Sequence, residues 1–186
     1  MSGTMRADAR ANRDQVLAAA RDLFATRGVD VSMKEIADRA GVGVGTLYRR
    51  FPDRDALISA TAEAHLSDLA TALQTARSEE RTAWLALRRF LHACIDGGIG
   101  ALAAAIEPGL HARIQQDAQL KAARAAIGDT LAELTRQAQA DGDLRPDARP
   151  DDIALLMTVQ VYLRPDQSHS EAAERVTDLI FDGLRA

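Results

Sequence analysis

A single cysteine in 186 residues, Cys94, has no partner in the chain, so an internal disulfide is excluded and the core must hold without covalent staples. Aromatic residues make up only 4% of the chain, and few stretches alternate apolar and polar residues at the period of two that a half-buried strand requires. A sheet-built fold is therefore not expected. A chain rich in Ala, Leu, Arg, Asp and Glu reads instead as an all-α protein. Long hydrophobic runs are missing too: the longest uncharged apolar stretch, 97–106, is about half of the roughly 20 residues that a membrane span needs, and no membrane role is expected. The charged start, MSGTMRADARANRD, lacks the apolar segment of a secretory signal, so the expected location is cytoplasmic.

The sequence also lacks the usual carriers of catalysis. It has no Gly-rich phosphate loop, no Gly-x-Ser-x-Gly elbow and no paired carboxylates in a recognisable motif. Gly43 and Gly45 form a Gly-x-Gly, but it follows a helix turn instead of a strand and is no dinucleotide fingerprint. An enzyme is not expected, nor is a cofactor. His92 lies near Cys94, yet His65, His111 and His169 are scattered and a zinc site needs further ligands, so no metal is expected.

What is present is an uneven distribution of charge. The net charge is −4, but residues 1–52 hold nine Lys or Arg against six Asp or Glu, while the remainder holds 14 against 21. A basic head on an acidic body is a distribution shared by proteins whose head binds nucleic acid.

Hydrophobic spacing then divides the chain into helices. Over 14–27, Val16, Leu17, Ala20, Leu23 and Phe24 form one stripe, and Gly28 stands where a helix C-cap belongs. Ser32-Met33-Lys34-Glu35 has the form of a capping box opening a helix of about two turns. Gly41-Val42-Gly43 makes a tight turn, after which Val44, Leu47, Tyr48 and Phe51 recur at helical spacing until Pro52. Asp53 is an N-cap candidate for a long fourth helix whose inward face holds Leu57, Thr61, Ala64, Leu69 and Leu73.

Farther on, 82–96 predicts a helix with Trp84, Leu87, Leu91 and Ile95 inward, and 99–106 a shorter apolar piece before Pro108-Gly109. Residues 110–140 read as one long helix or two, closed by Asp141-Gly142-Asp143. A loop is expected at 147–150, then a helix from Asp151 or Asp152 ending near Pro165. In the last helix Ala172, Ala173, Val176, Leu179, Ile180 and Leu184 are expected inside, with Glu171, Glu174, Arg175 and Asp178 outside.

Helix, two-turn helix, glycine turn and short helix is the order of a helix-turn-helix, whose second helix enters the DNA major groove. Leu47 and Phe51 face back, leaving Gly43, Gly45, Thr46, Tyr48, Arg49 and Arg50 available to DNA. The run VSMKEIADRAGVGVGTLYRRFPDRDAL, residues 31–57, resembles the signature of the TetR family of bacterial repressors, and the likeness covers about residues 12–60.

That resemblance implies an all-α homodimer. Its N-terminal three-helix DNA-binding domain is expected at 1–53, and a C-terminal helical domain for ligand binding and dimerisation at 54–186. It implies a repressor that holds double-stranded operator DNA and is released by a small-molecule inducer. A regulator controlled by a protein partner, or by nothing, stays open as the alternative. On the family's pattern Thr46 is the exposed recognition-helix residue, suited to a phosphate oxygen or a thymine methyl, and Tyr48 bonds a backbone phosphate. Lys34 and Arg54 fall where phosphate clamps sit, and Arg49 and Arg50 are the candidate base readers. Gly43 departs from a common variant with Ser or Thr there. Arg6, Arg10 and Arg13 either track phosphates or belong to an unstructured arm.

In the C-terminal part Trp84, Phe90, Cys94, Met157 and Tyr162 are candidates to line an apolar cavity, or are ordinary core. His111 and Arg113 either present a polar handle to a ligand or begin a solvated helix. Family likeness assigns the faces carrying Ile153, Met157 and Val161, and Val176, Leu179, Ile180 and Leu184, to a dimer seam.

Overall fold

The computed structural model describes residues 2–97, 102, 117–159, 161 and 168–186, with side chains from residue 11 onward. Among the described residues there are eight helices and no strand. They are α1 (Ser2–Arg27), α2 (Met33–Ala40), α3 (Val44–Arg50), α4 (Arg54–Glu79), α5 (Ala83–Asp96), α6 (Ala118–Ala140), α7 (Pro150–Leu156) and α8 (His169–Leu184). The all-α expectation holds. Two compact units divide α4 between them: the first runs through α1, α2 and α3 to His65, and the second resumes at Leu66 and includes α5 to α8. The first unit thus continues past the boundary expected at 53/54.

In the first unit the predicted stripe of α1 is realised, with Val16, Leu17, Ala20, Leu23 and Phe24 all buried. They share that core with Ile36 and Ala37 of α2, Leu47 of α3, Phe51 just beyond it, and Leu57 of α4. Burying a side chain such as Phe24 or Ile36 completely contributes about 2–3 kcal/mol before entropy is counted. Helix α1 begins at Ser2, well before residue 14. The apolar stripe could not reveal that extension, because residues 2–13 lack inward apolar spacing. The backbone carrying Arg6, Arg10 and Arg13 is accordingly helical and not an unstructured arm.

In the second unit α5 is the central element and packs on α6 and α8. Its buried residues, among them Trp84, Ala86, Leu87, Phe90, Leu91, Cys94 and Ile95, cover more of its circumference than the predicted single stripe. A helix apolar over so wide an arc must be enclosed by neighbours. Asp117 caps α6 by accepting from the backbone N–H groups of Gln119 and Leu120. Beyond the predicted turn at Asp141-Gly142-Asp143, Gln139 Nε2 donates to the carbonyls of Arg145, Pro146 and Ala148 and shapes the connection to α7.

Two C-terminal expectations are corrected. Helix α7 starts at Pro150, because a proline at the first helical position gives up only an N–H that has no partner there anyway, and Asp152 Oδ2 accepts from Arg149 N at 2.8 Å. It ends at Leu156, short of the stop expected near Pro165: the Thr158 hydroxyl donates to Leu155 O at 2.7 Å, and the next N–H bonds tighten to i→i−3. Helix α8, capped by Ser168, buries Ala173, Thr177 and Phe181. Of the residues expected inside, Ala173 is buried, Ala172, Val176, Ile180 and Leu184 are half-buried, and Leu179 is 53% exposed. Thr177 fits the core because its hydroxyl donates to Ala173 O at 2.8 Å.

Candidate nucleic-acid interface

The interface is built on the α2–turn–α3 segment. The capping box of α2 forms as read: Ser32 Oγ accepts from Glu35 N at 3.2 Å, and Glu35 Oε2 accepts from Ser32 N at 3.0 Å. Bonding to the Ser32 side chain and backbone holds the Glu35 carboxyl below its ordinary range. Gly41 closes α2 at φ +68°, with its N–H directed to the carbonyls of Ala37 and Asp38. A residue with a Cβ is strained in that left-handed conformation, so the turn that redirects the chain into α3 depends on this glycine.

Helix α3 then lies with Leu47 and Phe51 buried and Tyr48, Arg49 and Arg50 exposed. Tyr48 is 47% exposed, which is unusual for an aromatic side chain in a chain with so few. Gly43 is the N-cap residue of α3 and supplies no side-chain cap. A Cβ there would meet Thr46 Oγ1 at 3.9 Å, an ordinary contact, and one at Gly45 would meet nothing within 4 Å. Thr46 is half-buried, and its Oγ1 accepts from Arg49 Nη2 at 2.9 Å.

The two expected clamp residues differ. Lys34 is exposed and pairs with Asp38 at 2.8 Å; that bond, first of all, holds its ammonium above its ordinary pKa. Such a solvated pair is weak enough to exchange for a phosphate. Arg54 is half-buried, and its Nη1 donates to the carbonyls of Val29 and Val31, so the guanidinium ties the start of α4 to the α1–α2 connection. Both Nη1 protons are engaged there, which gives Arg54 a structural task that the motif did not suggest.

Sequence reading missed one further tie of this unit. Arg39 of α2 closes on Asp22 of α1, its Nε at 2.9 Å and Nη2 at 2.7 Å from Oδ2. Seventeen residues separate the pair, so no local spacing could announce it. The Thr46–Arg49 bond could have been found, since an i, i+3 pair shares a helix face.

The C-terminal candidates are distributed differently. Trp84, Phe90, Cys94 and Met157 are all buried in the packed second unit. Trp84 meets Phe181 edge-on and lies under the Arg185 guanidinium, 5.6 Å from the ring centroid. His111, Arg113 and Tyr162 lie outside the described residues. Of the seam candidates, Ile153 is fully buried within one chain and has no surface left for a second copy, and Met157 is nearly so. Val161, Val176, Ile180 and Leu184 are half-buried, Leu179 is exposed, and so is Leu155, which sequence reading did not single out. Among the described residues no helix is long and apolar enough to cross a membrane.

Comparison with known proteins follows the same division. Residues 16–61 match the family described as bacterial regulatory proteins, tetR family. Residues 82–186 match the family described as transcriptional regulator SbtR-like, C-terminal domain. Over 54 residues, 28% of this chain, the sequence is 46% identical to an HTH-type transcriptional regulator of Staphylococcus aureus (strain USA300), and that stretch covers 29% of the relative's length. Among solved structures, the chain is similar to a TetR transcription regulatory protein from Mycobacterium vanbaalenii, at 36% identity over 98% of this chain and 99% of that one, with a TM-score of 0.64. It is similar also to a TetR transcriptional regulator from Streptomyces coelicolor, at 33% identity over 93% and 98% of the two chains and the same TM-score of 0.64.

Proposed function

The chain belongs to the TetR family of bacterial regulatory proteins, and on that premise we propose that it is a homodimeric transcriptional repressor, held on operator DNA by α2 and α3 and released by a small-molecule inducer. The observation that carries this reading is α3 itself, anchored by Leu47 and Phe51 while Thr46, Tyr48, Arg49 and Arg50 lie on its outer side. An apolar back and a polar, cationic front are what a helix seated in a major groove requires.

In this reading Tyr48 and Lys34 contact phosphates, Arg49 and Arg50 read base edges, and two heads engage major grooves about 34 Å apart. The second copy pairs through α8, whose Leu179, Val176 and Ile180 leave an apolar stripe in contact with water. Leu155 of α7 adds to the apolar surface available for pairing. Residues beyond the DNA-binding head serve regulation and dimerisation.

A second reading has an observation of its own. Trp84, Phe90 and Cys94 fill core positions, which favours a C-terminal unit that serves pairing alone, with control by a protein partner or by none. A gel shift of the purified protein on DNA upstream of its own and its neighbouring gene, with and without a small library of lipophilic and aromatic metabolites, tests both. Specific binding released by one compound supports the inducible repressor. Specific binding that nothing in the library releases favours the second reading, and absence of specific binding overturns both.

A further inference from the structure

Arg49 stands three residues after Thr46 and four after Gly45 on α3, so its side chain, which in a helix leans toward the N-terminus, runs back over those two positions. Gly45 offers no side chain to obstruct it, and the space where a Cβ would stand is open. Thr46 offers an acceptor in a defined place. Its backbone N–H is bound to Gly43 O at 2.8 Å, its β-branched side chain has few rotamers, and its Oγ1 takes the Arg49 Nη2 proton at 2.9 Å.

We propose that Thr46 is a positioning residue for Arg49, and that it sets base-pair preference through the arginine and not through a contact of its own. This rests on the DNA-binding reading above and deepens it. An exposed arginine samples many rotamers and loses that freedom when it binds; a guanidinium already held toward the first turn of α3 loses less. The first turn is the end of a recognition helix that contacts base edges. The bond to Thr46 consumes one of five guanidinium N–H groups, and enough remain to donate two parallel bonds to guanine O6 and N7.

The test uses the full-length protein. Wild type first selects its preferred site from duplexes with a randomised central segment, and binding is then measured on that site and all its single-base-pair variants. Wild type is compared with Thr46→Ser, Thr46→Val, Arg49→Ala and the Thr46→Val/Arg49→Ala double variant, each checked for helical content by circular dichroism. Thr46→Val is expected to reduce discrimination about three- to tenfold at the base pair where Arg49→Ala reduces it, to have no further effect in the Arg49→Ala background, and to be rescued by Thr46→Ser. Equal weakening of Thr46→Val on every variant would show a direct phosphate contact and overturn the proposal. So would a loss at a different base pair, or full retention of preference. If wild type selects no site at all, the DNA-binding reading itself fails, an outcome distinct from the failure of Thr46 alone.

Discussion

Phe181 of α8 meets Trp84 of α5 edge to face, with ring centroids 4.7 Å apart and planes inclined at 71°. An aromatic pair of this geometry adds to the burial of both rings, and Phe181 anchors the one face of α8 that is wholly inside. Phe181→Ala is expected to lower stability by about 3–5 kcal/mol through the lost transfer energy and the cavity left behind. Urea unfolding followed by Trp84 emission measures it directly, because Trp84 is the only tryptophan. A shift below about 1 kcal/mol would mean that α8 is held chiefly by other contacts, such as the Arg88–Asp178 ion pair.

The outward stripe of α8 predicts the opposite behaviour. Leu179→Asp, at a position 53% exposed, is expected to leave circular dichroism unchanged and to move the sedimentation profile from dimer toward monomer. Ile153→Asp, at a position with no exposure, is expected to unfold the chain instead, since it buries an unpaired charge. Identical sedimentation of Leu179→Asp and wild type would remove α8 from the seam.

Two glycines of the helix-turn-helix should respond in opposite directions. Gly41→Ala forces a Cβ into the φ +68° conformation and is expected to cost about 1–2 kcal/mol, read as a lower melting temperature. Gly43→Ser has room for its Cβ and places a hydroxyl where it can accept from the N–H of Gly45, the second residue of α3. A gain of a few tenths of a kcal/mol with DNA binding retained is expected there.

Tyr48→Ala and Arg50→Ala separate positioning from reading. Tyr48 is exposed, so its loss should change stability by less than about 0.5 kcal/mol while weakening binding roughly tenfold on every operator variant. Arg50→Ala should relax preference at particular base pairs, by about 1–3 kcal/mol. Uniform weakening by both, in filter binding on a set of single-pair variants, would deny Arg50 a part in base reading.

Cys94 links stability to pH. Burial pushes its thiol from an ordinary 9.0 up to about 12. The folded chain therefore keeps a proton that the unfolded chain gives up once the pH passes 9.0. The stabilising contribution is fully present below that pH and is lost by up to about 1.4 kcal/mol per pH unit between 9.0 and about 12. Cys94→Ala, although less stable overall, should show a flatter decline over that window in urea titrations. An equal slope would assign the alkaline loss to other groups.

Much of this architecture is legible in the linear sequence wherever neighbours along the chain make the structure. The α1 stripe, the Ser32–Glu35 capping box, the Gly41 turn and the division of α3 into Leu47 and Phe51 behind and Tyr48, Arg49 and Arg50 in front all follow from spacings of a few residues. Local hydrogen bonds and helical periodicity act over that range, so the outer side of α3 is legible from spacing, while the parts expected of Lys34 and Arg54 come only from the family resemblance. The early start of α1 was not legible, because helical backbone formed there without an apolar stripe to mark it.

Tertiary structure decided everything that depends on which of two apolar faces turns inward. Helix α8 carries Ala173, Thr177 and Phe181 on one side and Val176, Leu179 and Ile180 on another. Periodicity favours the richer stripe, yet the partners on α5, Trp84 for the ring of Phe181 and Arg88 for Asp178, select the first. The same holds for Arg54, whose motif position gave no sign that its Nη1 donates to the carbonyls of Val29 and Val31, more than twenty residues away in the chain. Helical periodicity is a property of one segment, while burial and ion pairing belong to segments brought together. The chain alone therefore determined most of the helices, their turns and the two sides of α3, and only the packed structure determined which face of α8 turned inward and where distant side chains such as Arg54 found their partners.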